Sequence, residues 1–200
     1  MFANILLQTA LLAQVEHQHH PPRSAMEYAH VLNDPKRDEW QKPHDVVMSL
    51  GLRADEVIAD IGAGTGYFSQ RFARHAGKVI AVDIEPKLLE MIKGEKIEKV
   101  VGSATSPNLK PGSVDTVFFC NVVHHIEQRQ AYWAKVIEAL KPGGRVVVLD
   151  FYKKPLPVGP GPGMKIDKAD MIREVTAAGL KVSRDLDFLP YQYFLEFKKP

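Results

Sequence analysis

Cysteine is nearly absent from this sequence: Cys120 stands alone in 200 residues. A single thiol excludes an internal disulfide and a cysteine-rich metal centre. Set within the apolar run "TVFFCNVV", it reads as a small buried side chain rather than a reactive group. An excess of charge of one sign is missing too. The formal net charge is +2 with acids and bases interspersed, which leaves no electrostatic footprint for nucleic acid, and none is expected as a partner. No apolar run is long enough for a stable membrane span. There is no internal repeat and no second domain. What is there, 45% apolar and 25% charged residues, is the composition of one globular domain with a full core.

The first 22 residues form a separate segment. "MFANILLQTALLAQ" is apolar, but no Lys or Arg precedes Arg23 and no clean A-x-A site follows. A helix packed on the domain or a partner, a degenerate secretory signal and a membrane-surface anchor are three readings of it. The first is preferred; a cytoplasmic protein is expected, with export as the alternative if residues 1–14 act as a signal. His17, His19 and His20 in "EHQHHPPR" lack further ligand spacing, so a polar linker is expected and no metal site.

From Arg23 to Leu50 the chain reads as helical, broken at Pro35 and Pro43. "SAMEYAHVL" opens with a capping-box pattern, Ser24 followed by Glu27. Then the rhythm changes. "EVIADIG", "KVIAVDIE", "KIEKVVG", "SVDTVFFCNVV" and "RVVVLDFY" are short apolar strands. Between them lie helical stretches. "TGYFSQRFARHAG" sets Phe68, Phe72 and Ala76 on one face, with Gly77 as a stop signal. "PKLLEMIKG" has Pro86 in its first turn. "EQRQAYWAKVIEALKPGG" sets Tyr132, Val136, Ile137 and Leu140 on one side. Strands that are continuous apolar runs and alternate with helices mark a parallel sheet buried on both faces. "KKPLPVGPGPGMK" is a Pro/Gly loop, after which Asp167 caps a helix ending before Gly179. Two strands joined by a turn at Pro190 close the chain, and this last pair is expected to be antiparallel.

The stretch "VIADIGAGTGYFSQ" carries the chemistry. No Lys follows its glycines, so it is not a P-loop. Gly62 and Gly64 match the first two positions of a dinucleotide fingerprint, but Tyr67 occupies the third, where bulk would block the close helix–strand contact. The pattern is G-x-G-x-G, preceded by Asp60 at the carboxyl end of a strand. A pyrophosphate would be repelled there; a ligand with an ammonium group would not. S-adenosylmethionine has an amino group and a sulfonium and no phosphate. Asp83 lies 21 residues after Gly62, the usual offset for an acidic residue that binds ribose hydroxyls, a feature that alone fits NAD as well.

"VIADIGAGTGYFS", "VIAVDIEP", "SVDTVFFCNVVHHI" and "LKPGGRVVVLDF" together resemble the successive motifs of class I S-adenosylmethionine-dependent methyltransferases, in the small-molecule branch related to ubiquinone/menaquinone-biosynthesis enzymes. The resemblance covers about Trp40 to Pro200. It implies a Rossmann-like, doubly wound α/β fold: a mostly parallel seven-stranded sheet with helices on both faces. "YQYFLEF" would be its antiparallel strand, inserted between the fifth and sixth. Residues 23–200 would be the methyltransferase domain, with a helical lid over 23–50. Gly62, Ala63, Gly64 and Gly66 would form the S-adenosylmethionine loop, Asp60 would reach the cofactor amino group, Asp83 the ribose, and Ile84 the adenine. Ser103 and Ala104 stand where family members often carry an acidic residue beside the adenine. Asn121 would border the methionine part, and "LKPGG" would be the turn into the fifth strand.

Transfer from a sulfonium needs alignment and exclusion of water more than it needs a base. His124 and His125 in "NVVHHIEQ", after the fourth strand, are the candidate bases. Tyr28, Trp40 and Gln41 in the lid are candidates to line the pocket of a small-molecule or lipid-like acceptor, and the Pro/Gly loop is a candidate second lid. Methylation of RNA or protein, and a non-catalytic cofactor-binding module, are the alternatives. A single cysteine cannot supply the several expected for arsenic methylation. Neither the acceptor atom nor the oligomeric state is legible.

Overall fold

The computed structural model describes residues 25–200, with side chains from Ala29 onward. The apolar segment at residues 1–14, the three linker histidines, Ser24 of the capping box and the side chain of Tyr28 lie outside the described residues.

Three short helices lead in: α1 (Ala25–Leu32), α2 (Arg37–Gln41) and α3 (Pro43–Leu50). Pro43 opens α3 at its first turn, where a missing N–H costs nothing. Lys42 before it bends the chain through a left-handed φ of 45°. The alternating part follows: β1 (Val57–Ile61), α4 (Ser69–Phe72), β2 (Lys78–Asp83), α5 (Pro86–Met91), β3 (Ile97–Val101), β4 (Val114–Cys120), α6 (Arg129–Ala139), β5 (Leu140–Phe151), α7 (Lys168–Ala177), β6 (Lys181–Leu186) and β7 (Gln192–Lys198). The strands form one seven-stranded sheet in the order β3-β2-β1-β4-β5-β7-β6. β1 pairs in parallel with both β2 and β4, and β7 runs antiparallel between β5 and β6. This is the expected Rossmann-like α/β sheet. The order reverses between β1 and β4, which opens a crevice at their carboxyl ends.

Successive side chains of a buried strand serve opposite faces. On β4, Phe118 packs with Val46, Leu50, Phe68 and Phe72, from α3 and the segment around α4. Its neighbour Phe119 packs with Trp133, Val136, Met171 and Val175 from α6 and α7. The strands at the sheet edges are only partly covered: most of β3 and β6 faces solvent, unlike the central runs.

Two local expectations are corrected. The helix expected over "TGYFSQRFARHAG" is a four-residue α4 flanked by turns, because several amides there bond three residues back instead of four. The apolar spacing still holds, with Phe68, Phe72 and Ala76 all buried. Gly77 ends the stretch for a different reason than a left-handed cap: a Cβ there would meet the Ala54 carbonyl at 2.5 Å. "LKPGG" is not a turn before the fifth strand but part of it. Leu140 already pairs with Val114, and a bulge follows before Arg145 pairs with Thr116. Gly143, at φ 71°, makes that bulge possible.

The amino end of the sheet is closed by charge. Arg145 donates to Glu56 at 2.9 Å and to Glu196 at 3.4 Å, and its Nε donates to Thr116 at 2.8 Å. Ser183 and Arg184 also donate to Glu196, at 2.8 and 3.4 Å. Both glutamates are buried, and every carboxylate oxygen has a partner.

Candidate functional site

The glycine loop leaves β1 at its carboxyl end and folds over the end of β2. The Gly62 and Ala63 amides donate to the Val82 carbonyl at 2.8 and 2.9 Å, and the Gly64 amide donates to Asp83 Oδ2 at 2.7 Å. Gly62, Gly64 and Gly66 all have left-handed φ. A side chain at Gly62 would also run into Val122, with its Cβ 2.2 Å from Cγ2. The glycines are therefore required by the backbone path and by close packing.

Asp60 is buried, with 3% of its surface exposed, and accepts a hydrogen bond from the Ser69 hydroxyl at 2.6 Å. Burial pushes its carboxyl up to about 7; the Ser69 bond and the Arg37 charge oppose the rise, and Asp83 adds to it. Asp83 accepts from Gly64 with one oxygen and from the Glu85 amide, at 3.0 Å, with the other. Each oxygen retains a second lone pair for a hydroxyl donor. Ile84 beside it is 68% exposed, a large apolar side chain left open at the rim. Ser103 spends its hydroxyl inside its own loop, accepting from the Thr105 and Ser106 amides at 3.3 and 3.0 Å, and Ala104 is exposed.

The lead-in helices cover this end. Leu32 of α1 lies over Gly64, where an added Cβ would approach its Cδ1 to 2.7 Å. Thr65 donates to Asn33 at 2.7 Å. From α2, Asp38 accepts from the Tyr67 hydroxyl and from Arg71. The Arg37 guanidinium stacks 3.8 Å above the Tyr67 ring. It also donates to the Leu32 carbonyl at 3.3 Å and to Gln41 at 3.4 Å. Gln41 is fully buried and donates to Gln192 of β7 at 2.7 Å; Gln192 in turn donates to Asn121 at 2.5 Å. Asn121 itself ends β4 with a left-handed φ of 60°. Gln41 thus sits inside a polar network rather than on a pocket wall. Trp40 stands against Phe151 and Tyr191, with ring centroids 5.7 and 6.4 Å apart.

The His pair follows β4 in a single 3₁₀ turn, Val123–His125. The His124 side chain is almost wholly enclosed, and its Nδ1 lies 2.8 Å from Asp150 Oδ1. The other Asp150 oxygen is buried without a partner. His125 is exposed, its ring 4.2 Å from that of His124. Partial burial first, and His124 second, lower its pKa. Cys120 is buried, and burial pushes its thiol up to about 12, which makes it inert.

The structure therefore gathers Asp60, Gly62, Ala63, Gly64, Gly66, Asp83 and Ile84 at one end of the sheet, with Asn121, His124 and Trp40 around the ends of β4 and β5. Sequence reasoning missed Arg37, Ser69, Asp150 and Gln192. One signal for Asp150 was present: "VVVLDFY" ends its apolar run on an aspartate, as "VIADIG" and "VIAVDIE" do. Two surface clefts lie elsewhere, one beneath β1–β3 near Val57 and Leu109, the other between α6 and α7 near Trp133 and Glu174. Among the described residues there is no cluster of metal ligands, and no helix is long and apolar enough to cross a membrane.

Comparison with known proteins agrees with this geometry. Residues 59–148 match the family described as a methyltransferase domain. The chain is 29% identical over 106 residues to a demethylmenaquinone methyltransferase of Tropheryma whipplei, covering 51% of this chain and 44% of that protein. It is 33% identical over 128 residues to the mitochondrial ubiquinone biosynthesis O-methyltransferase of Schizosaccharomyces pombe, covering 60% of this chain and 45% of that one. It thus spans under half the length of these curated relatives. A S-adenosylmethionine-dependent methyltransferase from Aquifex aeolicus shares the fold, with a TM-score of 0.81, 19% identity, and coverage of 87% of this chain and 98% of that one. Residues 59–148 thus match a methyltransferase domain model, and the sheet around them has the fold of that Aquifex protein.

Proposed function

We propose that this domain is an S-adenosylmethionine-dependent methyltransferase that methylates a small-molecule or lipid-like acceptor. The observation that carries the reading is the pairing of a buried Asp60 with a glycine loop tied to Asp83: a carboxylate-rich site with close backbone access, hostile to phosphate and suited to a cationic nucleoside. The residues present fit the cofactor. Asp60 would hold its ammonium group, Asp83 the ribose hydroxyls, Ile84 the adenine face, and Gly62, Ala63, Gly64 and Gly66 the backbone cradle. Asn121 would border the methionine part. When bound, the cofactor supplies an electrophilic methyl on a sulfonium.

The chain's own work is positioning. Helices α1 and α2 act as a lid that excludes water. Trp40, with the tilted rings of Phe151 and Tyr191, offers an aromatic wall for an acceptor. His124, with Nδ1 held by Asp150, keeps Nε2 as the nitrogen that takes a proton from an acceptor that needs to lose one. One curated relative is named for demethylmenaquinone and the other for ubiquinone biosynthesis, which supports a quinone-like acceptor. The near-neutral charge supports a small molecule over RNA. The need for the cofactor supports a cytoplasmic location.

The test follows a methyl label. The purified protein is incubated with methyl-labelled S-adenosylmethionine and fractionated cell extract. Label in the small-molecule or lipid fraction is expected. Label in RNA or protein overturns the acceptor class, and tight binding of S-adenosylhomocysteine with no transfer to any fraction overturns the enzyme reading.

A further inference from the structure

The Pro/Gly loop from Lys153 to Lys165 has one buried side chain, and it is a lysine. Lys165 is 3% exposed, while the residues before it in the loop are exposed or half-buried. Lysine is rarely buried without a carboxylate paired to it. Among the described residues Lys165 makes no ion pair. Its ammonium donates to the Lys154 carbonyl at 2.9 Å and lies 5.6 Å from the centre of the Phe151 ring. An ammonium has further N–H groups to give, and these find no acceptor among the described residues.

The fold carries this cation to the end of β5. Asp150 faces Tyr193 across the β5–β7 pairing, and the Tyr193 hydroxyl donates to the carbonyl of Ile166, the residue after Lys165, at 3.4 Å. Gly159 lies so close to Phe151 that an added Cβ would come within 2.7 Å of the ring. Neighbouring residues of a strand leave opposite faces of the sheet, so a group near both Asp150 and Phe151 stands just beyond the strand's carboxyl end. Asp150 is the unsatisfied group there. Its Oδ1 lies 2.8 Å from His124 Nδ1 and accepts from the Phe151 amide at 2.8 Å, while Oδ2 is buried with no donor. Burial lowers the Lys165 pKa and the Asp150 charge opposes that, so the two groups feel one another without forming an ion pair.

A cation with free N–H groups beside an anion with a free oxygen narrows what can bind to both. A carboxylate would suit Lys165 and be repelled by Asp150. An ammonium would do the reverse. A carbonyl or ether oxygen accepts from Lys165 but turns a lone pair toward Oδ2. A hydroxyl accepts from the ammonium and donates to the carboxylate at once. We propose that Lys165 and Asp150 form a hydroxyl subsite, where an alcohol or phenol oxygen of the acceptor, distinct from the methylated atom, is bound between Nζ and Oδ2. The subsite rests on the acceptor reading above, with the body of an aromatic acceptor against Trp40 and Phe151. It sets specificity through a group remote from the reacting atom, and it makes the Pro/Gly loop part of acceptor recognition.

Three probes on one aromatic frame test the subsite in protein saturated with S-adenosylhomocysteine: 1-naphthol, 1-methoxynaphthalene and 1-naphthoate. Calorimetry at neutral pH should rank 1-naphthol tightest, by about 10- to 100-fold over the methyl ether, the range for a hydrogen bond to a charged group. The naphthoate should bind no better than the ether. Lys165→Met should reduce 1-naphthol to the affinity of the ether and leave the ether unchanged, whereas a lysine that only closes the loop would weaken both alike. Lys165→Arg keeps a cation with several donors and should keep the ranking. If Lys165→Met does not fold, the ranking in the wild-type protein and in Lys165→Arg decides. Equal affinities for naphthol and ether, tightest binding of the naphthoate, binding of none of the three, or equal losses in Lys165→Met each overturn the subsite and leave the cofactor assignment standing. Failure to bind S-adenosylhomocysteine itself overturns the cofactor reading, and the subsite falls with it.

Discussion

The two ends of the sheet treat charge in opposite ways. At the amino end, Glu56, Arg145, Glu196, Thr116, Ser183 and Arg184 interlock, and each buried carboxylate oxygen has a donor. At the carboxyl end, Asp60 is buried with its carboxyl pushed up to about 7, and Arg37 Nε and Asp150 Oδ2 have no partner. A satisfied network of this kind holds a structure together, whereas unsatisfied groups persist where something else is to be bound. One sheet thus separates stability from function along the direction of its strands.

Breaking the satisfied end should have the largest effect on folding. Arg145→Ala removes the cation shared by two buried glutamates, leaving Glu196 with Arg184 and Ser183, and urea denaturation should show a loss of about 3 kcal/mol, the low end for breaking a buried pair. Binding of S-adenosylhomocysteine by the molecules that remain folded should not change. A loss of binding out of proportion to unfolding would mean that the two ends are coupled.

At the other end the sign reverses. Because the Asp60 pKa rises from 3.8 to about 7, the folded chain holds a proton that the unfolded chain has released. Stability therefore declines as pH climbs from 3.8 through about 7, and levels off above it. Asp60→Asn should remove this decline and stabilise the ligand-free protein at pH 8 by roughly 2–4 kcal/mol. It should weaken cofactor binding at the same time. Thermal melts of both proteins across that pH range decide it; parallel curves would place Asp60 with the structural charges.

His124→Gln should lower kcat about 100-fold, near 2.7 kcal/mol, with S-adenosylhomocysteine affinity unchanged, if the acceptor is protonated at working pH. A full kcat in the variant would make the His124–Asp150 pair purely structural. The smallest effect expected is that of Asp83→Ala, which should weaken S-adenosylhomocysteine by roughly 1–3 kcal/mol in calorimetry. Unchanged affinity would assign Asp83 to the glycine loop alone.

What could be read in the sequence was local. The strand runs, the glycine loop and the aspartates that end β1 and β2 are short-range patterns, and the fold placed them as expected. Phe68, Phe72 and Ala76 were legible as a buried face even though the helix around them shrank to a single turn. The rest depended on distance along the chain. Gln41 and Gln192 meet across 151 residues, and His124 and Asp150 across 26. Arg37 sits in "PKRDEWQ", which reads as a solvated charged turn until α2 is laid against Tyr67. Gln41 was expected on a pocket wall because nothing local says that β7 will present an amide to it.

The insertion of β7 between β5 and β6 also orders events in time. Strand β7 is the last of the seven strands in sequence, yet it fills an interior position, and its Gln192 joins Gln41 and Asn121 beside the glycine loop. During synthesis β1 to β5 emerge from the ribosome well before it does. A nascent chain can therefore assemble most of the sheet while the polar network of the site is still open. Closure of that network waits on the arrival of the final strand, a long-range pairing of the slow kind. An incomplete chain would expose the unpaired edge of β5 in the meantime, which makes that edge the point where early release or truncation should lead to aggregation.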